Sequence, residues 1–468
     1  MRRTLLTLIA ATITASPALA DWPSSGGNDR RNGQSSELGP TALDVQWSGG
    51  RSSVIAWQPV IEGRRVFMVR QLGFPPEPQS NLSPVVAMNL DTGAELWSVN
   101  IPFQTGDWTT WVAGVKNGRV YACRGGNGAS SLAKVYCLDA ATGAELWQST
   151  EEVDAGFYDG VVFAADGDPV IGSFRFIWRI DAETGATIWR ANRTCSVSGN
   201  CGVVINTDAQ AVYAVDTVAG GQAVRKFDLL TGAFLYRGPT MPGFLTQSTP
   251  MVGPDGTIYF NRAQTNETVD FFFAFEDTGA AIVEKWHVPS LNMPGAELGV
   301  GPDGSVYMVD RQTRILRLNP ADGSIVNNSS PIPSDFHKSR FAFGDDGLIY
   351  YSNGSFDLGR LYCFSADLVE QWSTPVFRFN IGGPALGADG TLVICGVGTD
   401  VRAYRSPREC PGDVDGDRDI DLTDLATLLT NFGLPSGATR EQGDLDGDAD
   451  IDLADLATLL ANFGGSCT

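Results

Sequence analysis

Histidine is nearly missing from this chain: His287 and His337 are the only two in 468 residues. Both read as surface or loop residues rather than a catalytic pair. No Ser-His-Asp order, phosphate-cradling loop or zinc-ligand spacing accompanies them. Basic residues are also scarce, 33 against 54 acidic ones, for a formal charge of -21. Such a surface repels nucleic acid, so no nucleic-acid partner is expected. Long apolar runs are absent outside the first twenty residues. There, Arg2 and Arg3 precede the run Leu5 to Ile13, and Ala18-Leu19-Ala20 fits a small-residue cleavage site. The run is too short to span a bilayer. Residues 1–20 are therefore expected to be a signal peptide, and the mature chain an exported one without a transmembrane span, located in the periplasm, at the cell surface or outside the cell. No cysteine lies near the cleavage site to carry a lipid.

Eight cysteines in an exported chain are compatible with four disulfides. The pairings suggested by position are Cys195–Cys201 around a short loop, Cys123–Cys137 across paired strands, Cys363–Cys395 between neighbouring repeats, and Cys410–Cys467 around the last domain.

What the chain has in abundance is one hairpin. VYCLDAATGAELW, from Val135 to Trp147, alternates like a strand, turns through Ala-Thr-Gly and starts a second apolar strand. Copies end at Trp97, Trp189 and Tyr236, and weaker ones at Trp286, around Gly323, and at Trp372. The spacing, about 41 to 50 residues with four strand candidates per period, matches the blades of a propeller. Later copies open on Asp-Gly turns at 253–256, 301–304, 344–347 and 387–390, followed by IYFNR, VYMVD, LIYYS and LVICG, which read as inner strands. An eighth unit, from Pro384 to Tyr404, lacks its last strand, and Thr41 to Trp47 is a strand without a hairpin. Joining the two closes a ring of eight and removes an exposed edge. The expected fold is an all-β eight-bladed propeller over 41–406, with the polar segment 21–40 draped over it and a small helical domain at 407–468. The recurring Trp is expected to fill the wedge between blades, with its ring N–H on a backbone acceptor.

The sharpest chemical signal is at the end of the chain, where twelve Asp and one Glu stand against two Arg from Cys410 onward. Two loops repeat in register. Oxygen ligands at loop positions 1, 3, 5, 9 and 12, with a backbone carbonyl at 7, wrap a hard cation such as calcium. In the first loop these are Asp413, Asp415, Asp417, Asp421 and Asp424, with the carbonyl of Asp419. In the second they are Asp444, Asp446, Asp448, Asp452 and Asp455, with the carbonyl of Asp450. Both loops have Asp at position 12, where an EF-hand has Glu. At position 6, where Gly is expected, stand Arg418 and Ala449, at a cost of roughly 1–2 kcal/mol for a left-handed backbone. Two Ca2+ ions are expected, with metal binding and folding coupled. Ile420 and Ile451 are expected to pair as a miniature sheet. Leu425, Leu428, Leu429 and Phe432 are expected to form one helical face, matched by Leu456, Leu459, Leu460 and Phe463.

On these residues both parts resemble known families. The D-x-x-T-G-x-x-x-W hairpins at Asp139, Thr142, Gly143, Trp147 and at Asp181, Thr184, Gly185, Trp189 resemble pyrroloquinoline-quinone-type repeats. That group includes quinone-dependent alcohol dehydrogenases and the noncatalytic propeller lipoprotein of outer-membrane barrel assembly. Residues 410–468 resemble a type I dockerin, which implies calcium-dependent attachment to a cohesin-like partner. The positions that read the cohesin are here Leu422, Thr423, Leu453 and Ala454, a departure from the usual polar pair. The dehydrogenases hold their quinone against a vicinal disulfide, and no adjacent Cys-Cys occurs in this chain. The favoured reading is an exported noncatalytic propeller that binds protein or glycan and docks through calcium. The alternatives are a dockerin-bearing polysaccharide hydrolase, a quinone-dependent oxidoreductase, and a purely structural surface protein. Whether the chain is an enzyme stays open, because a glycosidase carboxylate pair is defined by distance.

Overall fold

The computed structural model describes residues 21–53, 55–71, 84–102, 107–126, 132–154, 160–195, 202–242, 249–262, 271–289, 297–332, 339–353, 359–376, 382–406, 411–415 and 419–465. The chain divides into two compact units, Met1–Arg405 and Ser406–Thr468. The expected signal peptide, His337, and Cys201, Cys410 and Cys467 lie outside the described residues.

The first unit is an eight-bladed propeller of antiparallel sheets, four-stranded in six blades and with a fifth short strand in the first and the fourth. The third blade shows the pattern: Val162–Phe163, Pro169–Gly172, Phe176–Ile180 and Thr187–Asn192 pair in sequence order. The first two strands are wholly buried, whereas the fourth alternates between buried and exposed positions, which marks it as the outer strand. The strands read as inner ones after the Asp-Gly turns are second from the axis. The turns join them to shorter inner strands, such as Met251–Val252, Gly299–Val300 and Ala342–Phe343. The eighth sheet takes Ala385–Gly387, Thr391–Cys395 and Val401–Arg405 from the end of the unit and Asp44–Gly49 from its beginning. Val45 lies opposite Tyr404 and Trp47 opposite Ala403. The ring closes as the orphan strand requires.

Local chemistry makes each hairpin. Asp139 Oδ1 accepts from the Ala141 and Thr142 amides and from the Thr142 hydroxyl, and Asp181 and Asp228 repeat the arrangement. The glycine that follows has two duties. Gly143, Gly185 and Gly232 sit at φ +74, +72 and +71, and each lies against the Trp of the preceding blade, where a Cβ would be 2.5–2.8 Å from the indole.

That Trp also donates its ring N–H to the next blade's turn: Trp47 to Leu90 O at 2.7 Å, Trp97 to Ala140 O at 3.1 Å, Trp147 to Ala182 O at 3.0 Å, Trp189 to Leu229 O at 3.0 Å and Trp286 to Pro320 O at 2.9 Å. Where Trp is replaced, another donor takes over. Asn327 Nδ2 reaches Asp367 O at 2.5 Å, and the Tyr236 hydroxyl reaches Asp277 at 2.6 Å. Asp277 also holds Lys226 at 2.6 Å and the Tyr213 hydroxyl at 2.5 Å. Burial would raise the Asp277 carboxyl, but the bonds from Lys226, Tyr213 and Tyr236 outweigh it and hold the group below its ordinary value. The last link, from Trp372, goes to Pro40 O at 3.1 Å.

Residues 21–40 do not drape over the surface. Trp22, Ser24, Arg31 and Asn32 are buried, and the segment hydrogen-bonds to inner strands around the ring. Trp22 exchanges both backbone bonds with Ile61, and further along Gly33 O accepts from the Phe343 amide.

The disulfide expectation is corrected for two of its four pairings. Cys123, Cys137, Cys363 and Cys395 are buried thiols outside any disulfide, and no disulfide joins two described residues. Cys137 lies opposite Tyr121, so Cys123 is displaced by two residues along the partner strand. Such diagonal neighbours stand about 7–8 Å apart, too far for an S–S bond. Cys363 and Cys395 belong to different blades, and the Cys395 sulfur faces Met68 Sδ of the first blade at 3.5 Å. Cys195 is disulfide-bonded; Cys201, the partner expected for it, and both members of the Cys410–Cys467 pairing lie outside the described residues.

Replacing Gly232 by Ala should cost about 2–4 kcal/mol, from left-handed strain together with overpacking against Trp189. Gly279 has φ +82 but open space around it, so Gly279→Ala should cost only about 1–2 kcal/mol. Chemical denaturation of the two variants compares them, and equal losses would remove the indole contact as the reason for glycine.

Candidate metal centre

The second unit is built on two copies of one turn-and-helix. Its helices, α1 (Leu422–Asn431) and α2 (Leu453–Asn462), each start at an Asp N-cap, Asp421 and Asp452. The core beneath them consists of Val414, Ile420, Leu428, Ala438, Ile451 and Leu459, with Leu425, Leu434, Leu445 and Leu456 packed at its edge.

One sequence expectation is corrected here. Ile420 and Ile451 do not pair with each other. Ile420 donates to Gly465 O and accepts from the Gly464 amide, just past α2, while Ile451 donates to Leu434 O and accepts from the Gly433 amide, just past α1. Each loop is thereby tied to the exit of the other repeat's helix. Within each apolar helical face, only one leucine of the LL pair turns inward. Leu428 and Leu459 are fully buried, but Leu429 and Leu460 are 52% and 54% exposed, and Phe432 and Phe463 are 42% and 43% exposed. One narrow stripe of each helix is buried in the unit's core, and the adjoining apolar stripe is left exposed.

The carboxylates gather into four groups whose ligand atoms lie within 4.8 Å of one another: Asp413, Asp415 and Asp424; Asp419, Asp421 and Asp424; Asp444, Asp446 and Asp455; and Asp450, Asp452 and Asp455. Asp424 and Asp455 join two groups each, so each loop converges on its position-12 residue. Asp448 is described but belongs to none of the four groups, and Asp417 and Arg418 lie outside the described residues. Asp419 and Asp450, read from sequence as carbonyl donors, bring their carboxylates into the groups instead. Ala449 adopts φ +70, the left-handed geometry expected at loop position 6. An all-oxygen set of this kind suits a hard divalent cation. Desolvation, followed by the charges of neighbouring Asp residues, raises the carboxyls of Asp446 and Asp450 above their ordinary value. A bound cation would relieve that crowding.

The position-12 residues carry a second role that was not read from the sequence. Asp424 is fully buried. It accepts the Val414 amide at 2.6 Å and the Asp415 amide at 3.2 Å on Oδ1, and the Asp421 amide at 2.8 Å on Oδ2. Asp455 does the same with Leu445 at 2.7 Å, Asp446 at 3.3 Å and Asp452 at 2.7 Å. The bond to the N-cap amide completes a capping box with Asp421 or Asp452. The spacing D-L-T-D and D-L-A-D, an N-cap with a carboxylate three residues on, carried that signal.

Comparison with known proteins places the first unit. The family described as outer membrane protein assembly factor BamB matches residues 82–329, more than half of the chain, and the chain belongs to that family. No curated protein sequence matches it. Among solved structures, the quinohemoprotein alcohol dehydrogenase of Comamonas testosteroni is 14% identical with a TM-score of 0.54, covering 82% of this chain and 80% of its own. The quinohemoprotein alcohol dehydrogenase ADHIIG of Pseudomonas putida HK5 is 13% identical with a TM-score of 0.55, covering 88% and 84%. The computationally designed protein Ika8 is 13% identical at 0.54, covering 79% and 99%. These likenesses show a shared propeller fold. The family match ends before the helical unit begins.

Asp424→Ala and Asp455→Ala should each destabilise their repeat by roughly 2–4 kcal/mol, by leaving a helix cap and charged hydrogen bonds unmade. Hydrogen exchange along α1 and α2 in the full chain measures this. Unchanged protection would show that these carboxylates are not clips.

Proposed function

We propose that this chain is an exported, noncatalytic binding propeller that carries a calcium-dependent docking module of dockerin type. The propeller would hold a protein or glycan client, and the C-terminal unit would attach to a cohesin-like protein. The observation that carries the docking half is the pair of matched carboxylate loops, in which six Asp residues stand in corresponding groups: Asp413, Asp415 and Asp424 in one, and Asp444, Asp446 and Asp455 in the other.

These residues would hold one Ca2+ per loop, with Asp421 and Asp452 at position 9. When bound, the cation neutralises charges that otherwise repel. The protein's own contribution is to fix the loops by the capping boxes and by the crossed Ile420 and Ile451 bonds. The partner surface is suggested by apolar residues left outside the unit's core. Leu422 and Leu453 are 70% and 71% exposed at the first turn of each helix, next to the loops whose geometry the ion would set. Membership of the barrel-assembly family, which contains a noncatalytic propeller, supports a binding role for the first unit. Among the described residues no helix is long and apolar enough to cross a membrane. His287 lies half-exposed on an outer strand with Nδ1 2.5 Å from Glu284.

Calorimetric titration of the full chain should register two calcium equivalents, falling to one in either Asp413→Ala or Asp444→Ala. The double variant Leu422→Asp with Leu453→Asp should weaken binding to a cohesin module by about tenfold or more while leaving the two equivalents intact. Absence of calcium uptake by the unaltered protein would defeat this reading.

A further inference from the structure

The segment from Trp22 to Ser35 contacts every blade at, or just before, its innermost strand. Six inner-strand amides donate to its carbonyls: Ile61 to Trp22, Val115 to Pro23, Ile205 to Asp29, Val252 to Arg30, Val300 to Asn32 and Phe343 to Gly33, all at 2.8–3.1 Å. These belong to the first, second, fourth, fifth, sixth and seventh blades. Arg31, 1% exposed, covers the third and again the fourth, donating to Gly160 O at 3.0 Å and Val203 O at 2.8 Å. The Ser35 hydroxyl reaches Leu386 O of the eighth at 3.4 Å.

Four successive blades are met within the five residues Asp29 to Gly33. Five residues span at most about 18 Å, so the inner strands there converge on the segment and it runs at the axis of the ring. Gly33, at φ +83, allows the last approach: a Cβ there would be 2.5 Å from Phe341 O. The contacts fall beside the turns between first and second strands. Arg30 also bonds Gly253 O and Pro254 O, and Gln34 bonds Gly301 O, so one particular mouth of the ring is occupied.

We propose that residues 21–40 form an axial plug that seats as a single unit, bars entry to the central channel from the side of those turns, and couples that sealing to ring closure. The coupling follows from the chain itself, because the plug leads within a few residues into Asp44–Gly49, the strand that completes the eighth blade. Every inner strand must be in place before the plug has its full set of partners.

Hydrogen exchange on the full-length mature protein tests this. In Gly33→Ala, the six amides named above should lose protection together, by a common factor of about tenfold or more, while the Tyr259 amide in the second strand of its blade stays protected. Loss confined to Phe343 and its neighbours in the seventh blade would overturn the single-unit proposal. A second experiment does not depend on that variant folding. A protease site placed in the exposed stretch Thr41 to Leu43 is cut after folding. The released piece should remain bound through gel filtration, with the six amides still protected. Its departure from an otherwise intact ring would overturn the proposal.

Discussion

The bond from the end of one blade to the turn of the next is the constraint on which the propeller depends. Within a blade, backbone pairing is complete in itself and says nothing about where the neighbouring sheet should lie. The indole of Trp97 or Trp189 supplies that information: its face rests on a glycine and its N–H finds one carbonyl in the following hairpin. Each such bond is worth only about 1 kcal/mol net. The links are closed in a circle, however, so slippage at one must be absorbed by all the others. The substitutions keep the link and change its chemistry. Asn327 retains a donor without the ring, and Tyr236 exchanges a carbonyl acceptor for the carboxylate of Asp277.

The same constraint explains what could be read from the chain. A residue pattern is legible when its partners recur at a fixed interval, as Asp139, Thr142, Gly143 and Trp147 do. It was enough to count eight blades and to recognise that the orphan strand read at Thr41 to Trp47 completes the last one. The axial segment left no such trace. Its Asn, Arg, Gly and Gln residues look like a solvated loop, because their partners are backbone groups scattered from Ile61 to Leu386. The Lys226–Tyr213–Tyr236–Asp277 network was hidden for a similar reason, since it joins residues up to 64 positions apart. The misplaced cysteine pairing came from knowing which strands meet without knowing their register.

In the helical unit the aspartate spacing was legible almost residue by residue, but its economy was not. Asp424 and Asp455 organise amides on both sides of the loop as well as facing the other carboxylates. The loop is therefore held in shape by the groups that offer themselves to a cation, and much of the ordering that ion binding would otherwise require is already built in. The crossed attachment of Ile420 and Ile451 ties the two loops into one body, so a change in either is felt by its twin.

The buried thiols of the propeller have a chemical consequence. Burial pushes the thiols of Cys137 and Cys363 up to about 12 and that of Cys395 up to about 11. Sulfur in that state is fully protonated at neutral pH and has almost no thiolate with which to attack a disulfide or an oxidant. Once folded, the chain stores these side chains as small hydrocarbons would be stored. Their chemical vulnerability belongs to the interval before the sheets assemble, and in an oxidising compartment swift folding is itself the protection against mispaired sulfur.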